Sequence, residues 1–409
     1  MCDLFNYFDE ASVHPASGSV FGQLRKSVPV LNPAPVQPPK GARNVLFLIA
    51  DDMRPSLPFY GLKEGFAPNL GKLATSGAQF QHAYVQFSYC APSRQSIITG
   101  RRPDATKSFS FMDDFREFGV GNQWLTMPQA FKAKGYYSFG AGKVFHEGVP
   151  ANYDLPYSWS TSGYVDRGGN ATNRCREECC GVPESEQSIW CMWDLEPGTL
   201  LPDQLSTATF KSGLGEAAER LRTTGQPFFG ALGLHKPHLR WDFPKQFLDN
   251  ITERVPTARV DSWPNDIPHL HWHECAEMSV GGMWNSEGWG VPPPSQEYQQ
   301  HARRAYYAAI AYADSLFGEV LDQLEALGLA NDTIVVATAD HGWSLYEVSR
   351  ARRGPRRQAA SVQPIAPRRP GSPACPAAQR ERRLPPLTPR PDPRPARLAG
   401  RRDVQDDAR

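Results

Sequence analysis

Several ionisable clusters in this chain stand directly behind apolar runs. Asp51-Asp52 follows the run Asn44 to Ala50, His235-Lys236-Pro237-His238 follows Pro227 to Leu234, and Asp340-His341 follows Asp332 to Ala339. Lys143 and His146 come shortly after Tyr136 to Phe139 and repeat that placement. Two adjacent carboxylates at a strand end suit a hard divalent cation, and the recurrence of the pattern at Asp340 argues against a chance turn. Cys90 offers a different chemistry. It lies two residues before Pro92, which suits the first turn of a helix, so Cys90 would stand at a helix N-terminus. Free N–H groups and the macrodipole favour negative charge there, making it a place to hold an anion.

The elements that must carry these residues read as an α/β fold. Asn44 to Ala50 is a continuous apolar run of the kind buried on both faces of a parallel sheet. Pro68 to Gly77 reads as a short helix, and a strand from Ala78 to Tyr84 is expected to lead to Cys90. A helix over Thr126 to Lys134 precedes the strand Tyr136 to Phe139, and a helix over Asp203 to Leu221 precedes Pro227 to Leu234. Ala305, Ala309, Tyr312, Leu316, Val320, Leu324 and Leu327 fall on one helix face, as core packing with no ligand implied. Val149 to Pro202 is expected to form a long loop over the active-site face, and Trp241 to Pro294 a second excursion lining the substrate pocket.

With 409 residues and 40% hydrophobic content the chain can bury one or two large cores, and no stretch approaches the apolar length of a membrane span. The net charge of +1 conceals an asymmetry, because 16 arginines face six acidic residues from Tyr346 onward. That tail has no lysine and no periodicity, cannot bury a core, and reads as a disordered and aberrant segment, such as an altered reading frame or a wrong exon would produce. A nucleic-acid partner is not expected from it. Residues 1 to 43 contain no h-region or cleavage site of a signal peptide and read as a lead-in; residues 44 to 345 form the expected catalytic domain. Cys175, Cys179, Cys180 and Cys191 cluster in a polar loop, and a disulfide joining Cys191 to Cys175 or Cys179 is expected over a metal knuckle. Asn170, Asn250 and Asn331 each begin an Asn-X-Thr acceptor, which favours a secretory-pathway protein.

Cys90-Ala91-Pro92-Ser93-Arg94 followed by Thr99-Gly100-Arg101 resembles, residue for residue, the signature of the type I sulfatases of the alkaline-phosphatase-like superfamily. The runs Asn44 to Ser56, Gly142 to His146, Leu201 to Thr207, Leu234 to His238 and Ala339 to Gly342 favour the iduronate branch of that family over the arylsulfatases. The resemblance implies a sandwich with a large, mostly parallel sheet flanked by helices. It implies that a formylglycine-generating enzyme converts Cys90 to formylglycine, and that one Ca²⁺ is held by Asp51, Asp52, Asp340, His341 and the modified Cys90. By the same resemblance, Arg94 and Lys143 would neutralise sulfate oxygens, and His235 would protonate the leaving sugar oxygen. A hydroxyl of the hydrated aldehyde would attack sulfur, and His146 would then take a proton from the other hydroxyl so that sulfate leaves. The implied substrate is a 2-O-sulfated uronic acid of heparan or dermatan sulfate, and the implied location is lysosomal or secreted. Trp343-Ser-Leu-Tyr-Glu-Val departs from the family pattern, so an expected sulfate-contacting lysine and the C-terminal subdomain are missing from the reading. An inactive fragment that at most binds sulfated glycans, an arylsulfatase and a phosphonate hydrolase are the alternatives.

Overall fold

The computed structural model describes residues 30–117, 119–161, 163–166, 182, 190–253, 255, 295–343 and 345, and the backbone of 366–367. In chain order these form β1 (Asn44–Ala50), α1 (Pro68–Ser76), β2 (Gly77–Ala78), α2 (Cys90–Thr99), α3 (Pro103–Thr106), α4 (Met127–Ala133) and β3 (Tyr137–Gly142). There follow β4 (Trp190–Trp193), α5 (Pro202–Thr224), β5 (Phe228–Leu234), β6 (Trp241–Pro244), α6 (Gln246–Asp249), α7 (Gln296–Ala326), β7 (Thr333–Ala339) and β8 (Ala366–Pro367).

The centre is a four-stranded sheet in the order β3-β5-β1-β7. Every pairing in it is parallel, with Val45 opposite both Phe229 and Ile334. Successive residues of a strand point to opposite faces, and β1 divides its apolar side chains accordingly. Leu46, Leu48 and Ala50 join a core with residues of α1, α5 and α7; Phe47 and Ile49 join another with Ile98 of α2, Phe229, Phe145 and Trp159. Burial on both faces is why these strands read as unbroken apolar runs.

Local signals explain the helix ends. Thr126 and Gln129 form a capping box at α4, Ser295 caps α7 through Tyr298 N, and Gly225 closes α5 at φ 71°. Three expectations change. The strand over Ala78 to Tyr84 shrinks to the two residues of β2, paired with β8, and Phe80 and Tyr84 are exposed. Leu327 is the C-cap of α7 and is exposed, so the buried stripe ends at Leu324. Trp241 and Phe243 line no pocket: β6 pairs in parallel with β4, and both rings are fully buried in the core. The Arg-rich tail, apart from β8, and most of 167–189 and 256–294 lie outside the described residues.

Candidate active site

Because the four central strands are parallel, their carboxyl ends share one edge of the sheet. Asp51-Asp52 leaves β1, Lys143 follows β3, His235 follows β5 and Asp340-His341 leaves β7, so the expected clusters converge there. Gly142 at the end of β3 has φ 69°, and a Cβ on it would sit 1.9 Å from the Gly233 carbonyl oxygen. Only glycine permits that approach, and Lys143 N then donates to Gly233 O at 3.0 Å.

Helix α2 brings Cys90 to the same edge, at its first turn as expected. This helix is polar yet buried almost throughout, so its side chains need internal partners. Ser93 Oγ donates to Asp340 O at 2.6 Å, and Gln95 bridges Ser108, Asp113 O and Phe115 N. The Arg94 guanidinium is fully buried, with Nη2 3.0 Å from Asp51 Oδ1, Nε 3.0 Å from Asp340 Oδ2, and Nη1 donating to the Lys143 carbonyl. Its position one turn into a helix that ends against the strand tips leaves it between carboxylates.

One donor atom each of Asp51, Asp52, Cys90 and His341 lies within 4.8 Å of the others, and all four residues are buried. Asp52 adopts the left-handed conformation at φ 58°, unusual for a non-glycine residue. Asp340 Oδ1 accepts from Asp52 N at 3.0 Å, and Tyr306 Oη donates to Asp52 O at 2.6 Å. Asp51 Oδ1 and Asp340 Oδ2 each lie 3.0 Å from the Arg94 guanidinium, and Asp52 Oδ1 lies 2.8 Å from His341 Nδ1. Three buried carboxylates drawn together at one sheet edge are a donor set that suits a hard, oxygen-seeking divalent cation such as Ca²⁺. The misfit is the soft thiol of Cys90, 3.1 Å from His341 Nε2. Burial and the nearby Asp51 charge push that thiol up to about 12, so it is a neutral group and a weak nucleophile. An oxygen-bearing residue at position 90 would suit the cradle better.

The charges around the cradle are strongly biased. Burial opposes charge on Asp51, yet Lys143, whose Nζ donates to Asp51 Oδ2, and Arg94 hold its carboxyl well below the usual range. Burial pushes Asp340 up to about 7 against the pull of Arg94. Burial also works against a charged His341, but Asp340 and Asp52 outweigh it and hold that imidazole well above its ordinary value. His146 is pushed down to about 3 by burial and by Lys143. Its ring stacks on Phe111 at 4.6 Å, and Phe111 stacks at 4.0 Å on Tyr89, the residue before Cys90.

The two histidines behind β5 have different surroundings. Both ring nitrogens of His235 face carboxylates, with Nδ1 3.1 Å from Asp203 Oδ1 and Nε2 3.5 Å from Asp166 Oδ1. His238 is the imidazole beside the cradle, its Nε2 3.9 Å from Asp52 Oδ2, and burial and Lys143 lower it to about 4. Asp203, Asp166 and Tyr306 were not singled out as site residues by the sequence.

Asp51→Asn removes one of the oxygens the cradle needs. Calcium-dependent thermal stabilisation, which scales with ligand concentration over its dissociation constant, should largely vanish in this variant. An unchanged upward shift of the melting temperature with calcium would show that the cradle is wrongly drawn.

Cys191 is disulfide-bonded, as expected of it, although its partner lies outside the described residues; Cys90 is free. Asn250 and Asn331 are exposed, and Asn170 lies outside the described residues. Among the described residues no helix is long and apolar enough to cross a membrane.

Human iduronate 2-sulfatase is 38% identical over 320 residues, 75% of this chain and 56% of that protein. A sulfatase of Formosa agariphila is 28% identical over 326 residues, covering 74% of this chain and 59% of its own length. The chain thus spans little more than half the length of these curated relatives. Among solved structures, the phosphonate monoester hydrolase of Agrobacterium radiobacter superposes with a TM-score of 0.56 at 18% identity, covering 79% of this chain and 68% of that one, a likeness of fold. The sulfatase family model matches residues 43–369, the span that carries the convergent strand ends and the Cys90 helix, and the chain belongs to the sulfatase family.

Proposed function

We propose that this chain is the catalytic part of a sulfuric ester hydrolase that removes 2-O-sulfate from uronic acid residues of a sulfated glycosaminoglycan. The observation that carries the reading is the placement of Cys90 at the first turn of α2, within 4.8 Å of donor atoms of the buried Asp51, Asp52 and His341. The similarity to iduronate 2-sulfatase supports the choice of sugar and position.

Asp51, Asp52, Asp340 and His341 would hold the cation together with residue 90, and Cys90 would be the residue converted to formylglycine. With both in place, the site gains an electrophilic metal and a hydrated aldehyde, a source of nucleophilic oxygen. Lys143 contributes a cation at the cradle, where negative charge must be stabilised as the sulfate ester breaks. Arg94 fixes Asp51 and Asp340 through its paired contacts of 3.0 Å and adds positive charge beside the cradle. His235 would protonate the leaving sugar oxygen, and His238, its Nε2 3.9 Å from Asp52 Oδ2, stands beside the cradle. His146, neutral because of burial and Lys143, would take a proton from the second hydroxyl of the hydrated aldehyde. A lysosomal or secreted location is consistent with the disulfide at Cys191 and the exposed acceptors Asn250 and Asn331.

The chain produced together with a formylglycine-generating enzyme should show the aldehyde at position 90 by peptide mass spectrometry. It should release sulfate from a 2-O-sulfated uronate disaccharide in preference to a sulfated hexosamine. Hydrolysis of a phosphonate monoester with no release of sulfate from either sugar would replace this reading by the phosphonate hydrolase alternative.

A further inference from the structure

We infer that Phe111 is a positioning residue of the reaction centre: sandwiched between Tyr89 and His146, it holds the His146 imidazole in the orientation that takes the proton when sulfate leaves. The inference rests on the sulfatase reading and on His146 as the proton acceptor. Phe109 and Met112 are 52% and 70% exposed, whereas Phe111 between them is partly buried. Its ring lies 4.6 Å from the His146 ring with 19° between the planes, and 4.0 Å from the Tyr89 ring with 29° between them. Two rings stacked so closely on a third fit only on its opposite faces, so Phe111 fills the space between the other two.

The stack is tied to α2 twice. Tyr89 is the N-cap residue of that helix, directly before Cys90. Little more than a turn further on, the buried Gln95 donates from Nε2 to Asp113 O at 2.6 Å and accepts from Phe115 N at 2.8 Å. The Asp113 carboxylate accepts from Phe109 N at 2.7 Å and Ser110 N at 2.8 Å, closing the loop that presents Phe111. The helix that carries residue 90 therefore also carries the ring that reaches His146. On the other side, Val149 N donates to His146 O at 3.1 Å and fixes the backbone, while His146 Nδ1 stands 3.0 Å from Glu147 O. A carbonyl can only accept, so Nδ1 carries the proton, and in the neutral ring Nε2 is left as the acceptor. That contact sets the tautomer. A bond to the adjacent residue leaves the ring room to swing, and the flat face of Phe111 sets its plane.

Sulfate release is the step that depends on this ring. The second hydroxyl at residue 90 gives its proton to His146 Nε2, the freed electron pair re-forms the C=O bond, and the C–O bond to sulfate breaks with its electrons leaving on sulfate. Release follows departure of the alcohol and is common to all substrates. In Phe111→Leu, 4-nitrophenyl sulfate should give a nitrophenol burst of about one equivalent per active site, then turnover reduced on the order of a hundredfold. Turnover of a 2-O-sulfated uronate disaccharide should converge on the same slow rate. Phe111→Tyr, which keeps a flat ring, should recover parental rates to within about threefold. A slow rate without a burst, or parental turnover in Phe111→Leu, would overturn the inference. If Phe111→Leu does not fold, Tyr89→Leu, which removes the outer ring of the stack, carries the same comparison. A second readout needs no activity: in crystal structures of the chain with unmodified Cys90, the His146 ring should rotate by about 20° or more in the leucine variant. An unmoved ring overturns the inference. That measurement separates it from the sulfatase reading, which fails by itself if the unaltered chain hydrolyses neither ester.

Discussion

Replacing Cys90 by alanine should lower turnover of the sulfated uronate on the order of ten-thousandfold or more, the scale seen when a covalent nucleophile is removed. The structure predicts that this loss comes without collapse of the fold. Cys90 is buried, but its side chain is small, and its thiol stands 3.1 Å from His341 Nε2. Circular dichroism and the melting temperature should stay close to those of the parent chain. Calcium stabilisation should weaken and not vanish, since Asp51, Asp52 and His341 remain. Retention of more than about a tenth of the parental rate would place the nucleophile elsewhere.

The largest effect on stability is expected at Arg94. Its guanidinium lies between the carboxylates of Asp51 and Asp340 with no exposure to water. Arg94→Gln would leave that buried negative charge without its cation, and removing one partner of a buried ion pair typically costs about 3–5 kcal/mol. Urea unfolding monitored by fluorescence should report a loss of this size. Calcium should restore part of it, because a divalent ion can supply to the same oxygens some of the charge that the arginine no longer provides. Arg94→Lys should recover little: a single ammonium cannot reach two carboxylates and the Lys143 carbonyl at once. If Arg94→Gln unfolds at the same urea concentration as the parent, the guanidinium makes no net contribution and its role is confined to the open site.

Much of the architecture was legible because the controlling signals are local. β1 and β5 are largely apolar runs of seven residues that stop where ionisable side chains begin, and burial on both sheet faces favours that composition, while the edge strand β7 alternates buried and more exposed positions. The helices announced themselves through Pro68, Pro202 and the Thr126–Gln129 capping box, and α7 through its periodic stripe. Where a short apolar segment had no partner strand to meet, as after Ala78, local pattern misled, since pairing is a property of two segments. The same holds for Trp241 to Pro244, which became core only because β4 lies beside it.

For the site, residue types and their places at strand ends determined the inventory: Asp51, Asp52, Cys90, Lys143, His146, His235, Asp340 and His341 all belong to segments that a parallel sheet must bring to one edge. Tertiary structure alone decided who faces whom. Whether Arg94 points to solvent or between two carboxylates depends on the rotation of α2 about its axis, which a buried polar helix does not encode in any hydrophobic stripe. That His235 stands between Asp203 and Asp166, 32 and 69 residues away in the chain, depends on backbone turns that no spacing rule describes. The left-handed conformation of Asp52, held by Asp340 and Tyr306, likewise exists only once distant elements have closed around it. Composition and local pattern set which groups could meet; long-range packing set their distances, and the chemistry depends on those distances.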